Sequence, residues 1–116
     1  MMLRLLREAI VSIGYNALEA SNGREALQIL AQHPGEVALI LLDWDMPELN
    51  GIATLRALKT NADLASIPVM MVTAERDETF IVEAIRTGAA HYLTKPFAQQ
   101  ELVRRMLECL GRGLEV

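Results

Sequence analysis

A single cysteine, Cys109, is all the sulfhydryl chemistry this chain has, so no internal disulfide framework exists and a reducing cytoplasm suits it. No apolar run approaches the length of a membrane span, and no leader with a cleavage site is visible. There is no run of basic residues, and the net charge is -4; phosphate backbones need clustered Lys and Arg, so nucleic acid is not a direct partner. Internal repeats, low-complexity tracts and Gly-rich phosphate loops are also absent. The two histidines, His33 and His91, lack ligand spacing, which leaves them as a loop and a strand residue rather than a metal pair. What remains is a chain of 116 residues, 52% hydrophobic, long enough for one domain (1–116) with a real core and too short for two.

The chain is organised around residues 37–51, VALILLDWDMPELNG. Residues 37–42 are apolar without alternation, the pattern of a parallel strand buried on both faces at the centre of a sheet. Asp43 stands where that strand leaves the sheet, and ligands of open α/β sheets gather at such carboxyl ends. Residues 44–47 form the following loop, with Trp44 partly exposed in it, and Asn50-Gly51 leads into a helix.

Taken in order, residues 1–13 read as an amphipathic helix with Leu3, Leu6, Ile10 and Ile13 on one stripe, stopped by Gly14. Residues 16–21 read as a short strand. Residues 22–32 are helical, with Asn22 and Glu25 in a capping-box pattern. A helix spans residues 51–59. A second apolar run, 69–72, ends in Thr73-Ala74. Residues 77–87 form a helix with Phe80, Ile81, Ala84 and Ile85 on one face, and Asp77 and Glu78 as favourable first-turn charges. Residues 90–94 form a strand ending at Lys95-Pro96. Residues 99–110 form a last helix, with Cys109 on its apolar face as a core residue, and residues 111–116 are a loose tail. Strands and helices alternate, which predicts a parallel sheet with helices on both faces.

Each of the three clear strands ends in a polar residue: Asp43, Thr73 and Lys95. Parallel strands point their carboxyl ends one way, so the three side chains meet at one edge. A carboxylate, a hydroxyl and an ammonium together suit phosphoryl chemistry. The carboxylate can attack phosphorus, and the others pair with phosphoryl oxygens. Each residue also has a plain alternative: a solvated loop acid, a loop-capping threonine, a surface lysine. A hydrolase is the weaker class, because no second acid and no nucleophilic cysteine motif accompany them.

DWDMP with the following Gly51, then VMMVTA, then HYLTKPF, in this order and spacing over essentially the whole chain, resembles the receiver domain of two-component response regulators, chemotaxis-type single-domain receivers above all. The resemblance implies a flavodoxin-like, doubly wound, three-layer α/β/α fold. It implies that Asp43 is the phosphoacceptor, Thr73 the switch hydroxyl, Lys95 the phosphate-pairing lysine with a cis bond to Pro96, and Tyr92 the switch aromatic. It further implies that Asp43 and the backbone carbonyl of Asp45 ligate Mg²⁺, and that Asp45 and Glu75 tune phosphoryl lifetime. The partners it implies are a sensor histidine kinase or phosphotransfer protein and a downstream target, met on the surface from residues 77–87 to the last helix. The output is protein binding, not catalysis by an enzyme.

This sequence departs from that pattern at its start. Receivers open on a strand ending in a pair of acids, and residues 1–10 match the helix that follows it. The expectation is therefore a sheet lacking its first, central strand and an incomplete Mg²⁺ site. Two repairs of the open edge are expected: residues 16–21 move across to pair with residues 37–42, or two chains form a homodimer through the edge or by element exchange. A non-phosphorylated pseudo-receiver, acting as a binding or dimerisation module, is the competing function. A shortened form of an ordinary receiver reads the same way.

Overall fold

The computed structural model describes residues 2–45 and 49–111; the loop positions Met46 and Pro47 and most of the expected tail lie outside the described residues. The elements run α1 (Met2–Ser12), α2 (Gly23–Gln32), β1 (Ile40–Leu42), α3 (Gly51–Thr60), β2 (Val69–Thr73), α4 (Glu78–Thr87), β3 (His91–Thr94) and α5 (Gln99–Cys109). The described sheet has the order β1-β2-β3, all parallel, with Ile40 opposite Val69 and Thr73 opposite Thr94. Parallel neighbours require crossovers, and α3 and α4 provide them.

Local chemistry sets the helix starts. The Asn22 side chain accepts the Glu25 amide, while Glu25 reaches back to the Ser21 amide at 2.7 Å, one residue before the cap. Asn50 and Asp77 cap α3 and α4 by accepting the amides of Ala53 and Thr79. Gly88 closes α4 at φ +121°, a conformation that side chains other than glycine's resist.

The sheet has two covered faces. Leu42, Val69, Met71 and Tyr92 pack with Leu30 of α2 and Leu55 of α3. Met70, Val72 and Leu93 pack with Ala9 of α1 and with Leu102 and Met106 of α5. This is a three-layer α/β/α arrangement, with one parallel sheet between two helical layers.

Three expectations are corrected here. The central strand is β2, whose five residues are all buried, and not the run at residues 37–42. In that run only residues 40–42 pair, on one side, and of these only Leu42 is buried, because an edge strand has no neighbour to cover it. Residues 16–21 form no strand and do not cross over to pair with β1; they run as irregular chain. On α4, Phe80, Ile81 and Ala84 face the core as expected, but Ile85 is turned to solvent.

Candidate functional site

Asp43, Thr73 and Lys95 follow or end three parallel neighbours, and the structure brings them together. Lys95 Nζ donates to Asp43 Oδ2 at 2.9 Å. The Asp45 amide donates to Asp43 Oδ1 at 3.2 Å. Thr73 is fully buried, and its hydroxyl oxygen accepts the Glu75 amide at 3.4 Å. Burial alone would push the Asp43 carboxyl up. Hydrogen bonds from Lys95, from the Thr73 hydroxyl and from the Asp45 amide, with the charge of Lys95 added, outweigh it and hold the group below its ordinary value. Asp43 is therefore a carboxylate at neutral pH.

The strand ends are tied to one another. The Lys95 amide donates to the Thr73 carbonyl at 2.9 Å, and the Lys95–Pro96 bond is cis. Gly51 lets α3 start against the acid, since a Cβ there would sit 2.3 Å from the Asp43 carbonyl oxygen. Its amide donates to the Trp44 carbonyl at 2.9 Å.

Tyr92 is turned inward. Its hydroxyl donates to the Glu75 carbonyl at 2.9 Å, and burial, followed by the charges of Glu75, Asp43 and Asp45, pushes the phenol up to about 12. Trp44 corrects the expectation of a partly exposed loop residue. It is buried, its ring edge-on to that of Phe80 in α4 with centroids 4.7 Å apart. Cys109 is half-buried with its thiol pushed up by burial, which suits a packing role.

Two arginines were not singled out from the sequence. Arg76 donates to the Lys95 carbonyl at 2.7 Å, and Arg105 donates to the Tyr92 carbonyl at 2.7 Å while Glu101 holds its Nε at 2.6 Å. The i,i+4 pairing of Glu101 and Arg105 was readable, but nothing in the pattern marks a side chain that reaches a strand carbonyl. His33 and His91 stand apart, each beside a glutamate.

The donor set fits Mg²⁺ poorly. The ion takes octahedral oxygen ligands, yet both Asp43 oxygens are engaged by Lys95 and the Asp45 amide. Among the described residues no three His, Cys, Asp or Glu groups converge on a metal position.

An acid, a lysine and a buried hydroxyl thus meet at one edge of a three-layer α/β domain. Residues 1–107 match the family profile of the response regulator receiver domain. The chain is 30% identical over 113 residues to a chemotaxis protein CheY homolog of Campylobacter jejuni, covering 97% of this chain and 86% of that one. It is 37% identical over 112 residues to the chemotaxis protein CheY of Pseudomonas aeruginosa, covering 96% and 89%. Its fold superposes on Vibrio cholerae chemotaxis protein CheY4 with a TM-score of 0.84 at 25% identity, over 94% of this chain and 89% of that one. It superposes on the Francisella response regulator 1452 receiver domain at 0.81 with 29% identity, over 96% and 88%.

The chain belongs to the response regulator receiver family. It is a CheY-like, non-enzymatic module of two-component signalling. The family typically binds Mg²⁺, and membership implies histidine kinases and downstream targets as partners in general. Among the described residues no helix is long and apolar enough to cross a membrane.

Proposed function

We propose that Asp43 accepts a phosphoryl group from the phosphohistidine of a sensor kinase or phosphotransfer protein in the cytoplasm. The observation that supports this most is the 2.9 Å contact of Lys95 with an ionised Asp43 over a buried Thr73 hydroxyl. An Asp43 carboxylate oxygen attacks phosphorus, the P–N bond to imidazole breaks, and the imidazole leaves with the electron pair and takes up a proton. The product is an acyl phosphate. Lys95 neutralises the phosphoryl oxygens, and the Thr73 hydroxyl donates to them. Both groups lose their present partner when the carboxylate becomes an ester-like acyl group. The rearrangement reaches Tyr92, whose hydroxyl rests on the Glu75 carbonyl two residues beyond Thr73. The target reads this as a change of surface.

A second reading is favoured by the poor metal fit: a pseudo-receiver that binds partners without phosphorylation. Intact mass after incubation with acetyl phosphate, with and without Mg²⁺, separates the two. An Mg²⁺-dependent phosphate adduct on the wild type and none on Asp43→Asn supports the acceptor. A folded wild type with no adduct establishes the pseudo-receiver.

A further inference from the structure

Arg76 is not one of the three strand-end residues, yet it grips one of them. The sequence sets acids around it, Glu75 before and Asp77 and Glu78 after. Three carboxylates are thus to hand, but among the described residues Arg76 forms no ion pair. Its Nη2 donates instead to the Lys95 carbonyl at 2.7 Å, across 19 positions of chain.

The guanidinium reaches out from a fixed base. On one side Glu75 is held twice: its amide donates to the Thr73 hydroxyl oxygen at 3.4 Å, and its carbonyl accepts the Tyr92 hydroxyl at 2.9 Å. On the other side Asp77 caps α4 by accepting the Thr79 amide at 2.9 Å. The residue it grips is one that the sheet holds by one end. Lys95 lies just past β3, whose last pairing is Thr94 with Thr73. The Lys95 amide still donates to the Thr73 carbonyl at 2.9 Å, but no backbone amide reaches the Lys95 carbonyl among the described residues. Arg76 supplies that missing donor, so the lysine backbone is held at both its amide and its carbonyl.

The side chain makes this grip matter. A lysine carries a point charge on a flexible four-carbon stem, so its ammonium is only as well placed as its backbone and its partner allow. Here the ammonium meets Asp43 at 2.9 Å. A shift of the Lys95 backbone is passed on to that contact, and phosphoryl transfer depends almost wholly on positioning and charge.

We infer that Arg76 is a positioning residue of this site: its bond to the Lys95 carbonyl fixes the lysine where its ammonium meets Asp43. Its effect on phosphoryl transfer rests on the acceptor reading above; its effect on the ammonium does not.

The test uses the whole chain, as Arg76→Ala and Arg76→Lys. Arg76 is exposed, so neither substitution empties the core. A single bond needs one donor nitrogen, which lysine supplies. The first readout needs no phosphodonor. Exchange of the Lys95 ammonium protons with water, followed by NMR, is slowed by the Asp43 bond. It should quicken about fivefold in Arg76→Ala, the worth of one hydrogen bond, and stay near the wild-type rate in Arg76→Lys. The second readout is the rate of labelling by acetyl phosphate, which should fall about fivefold in Arg76→Ala and recover in Arg76→Lys. On top of Lys95→Ala, removal of Arg76 should cost no further labelling, because a residue that acts through the lysine then has nothing to act on. Unchanged ammonium exchange in Arg76→Ala overturns the inference. So does a labelling loss that persists on top of Lys95→Ala, which would make Arg76 a charge acting on the donor directly. A wild type that takes no label fells the acceptor reading alone, and the ammonium exchange still decides the role of Arg76.

Discussion

The two flanks of the sheet are built differently. On the β2–β3 flank every β2 residue is buried, both strands pair along their length, and Thr73 and Lys95 are joined through the backbone. On the β1 flank three residues pair on one side and a cavity lies on the other. The candidate site straddles the boundary. Thr73, Tyr92 and Lys95 stand on the closed flank, and Asp43 stands on the open one. The Lys95–Asp43 ion pair and the Thr73 hydroxyl link the two flanks directly. Pre-organised donors thus face an acceptor whose own strand is held from one side, so the position of Asp43 is set by the closed flank, by α3 and by the seat of Trp44 on Phe80.

If this contrast is real, core truncations should cost unequal amounts. Met70→Ala in β2 should lose about 3 kcal/mol, the ordinary penalty of a buried cavity. Leu41→Ala in β1 should lose only about 1 kcal/mol, because the half-buried side chain has less apolar area to give up. Urea midpoints of the two variants check this, and equal losses would dissolve the contrast. Gly51→Ala should fall between them, at about 2 kcal/mol, since its Cβ meets backbone that α3 must retreat from. Its retreat moves Asp43, so phosphodonor labelling should fall together with stability.

Lys95→Ala tests the link itself. It removes the hydrogen bond and the charge that hold the Asp43 carboxyl low, so that group should titrate at higher pH, as read from its carboxyl carbon by NMR. The sign for stability follows. A carboxyl lowered by folding adds stability above its unfolded value, near 3.8, and this is lost as pH falls through the lower folded value. The wild type should therefore shed this contribution in acid, and the variant should have little of it to shed.

Much of this site was legible because a parallel sheet gathers its strand ends. Asp43 follows and Thr73 ends an apolar run, Lys95 follows a short strand, and alternation of elements alone places them on one edge. The cap at Asn22 was legible from its spacing to Glu25, whereas Asn50 was read only as the lead into a helix. The rank of the two apolar runs was not. Residues 37–42 and 69–72 carry the same pattern, and which one is central depends on strands that pair from elsewhere in the chain. The burial of Trp44 was hidden as well, since its partner Phe80 lies across a crossover. Arg76 and Arg105 were invisible because a strand carbonyl leaves no mark on sequence periodicity.

Tyr92→Phe gives the smallest effect and bears on how the closed flank holds its aromatic switch. Deleting the hydroxyl removes one hydrogen bond to the Glu75 carbonyl, so at neutral pH the variant should be about 1 kcal/mol less stable. The difference should not survive high pH. The phenol is raised from 10.0 to about 12 on folding, so its contribution is whole below 10 and is lost as pH rises through the folded value. In that window the unfolded chain ionises first and draws the wild type toward it, while phenylalanine does not titrate. Stability curves of the two proteins should therefore converge between pH 10 and about 12. A gap that stays constant across this range would mean that the hydroxyl is solvated, not seated on Glu75, and that Tyr92 is not locked by the flank it belongs to.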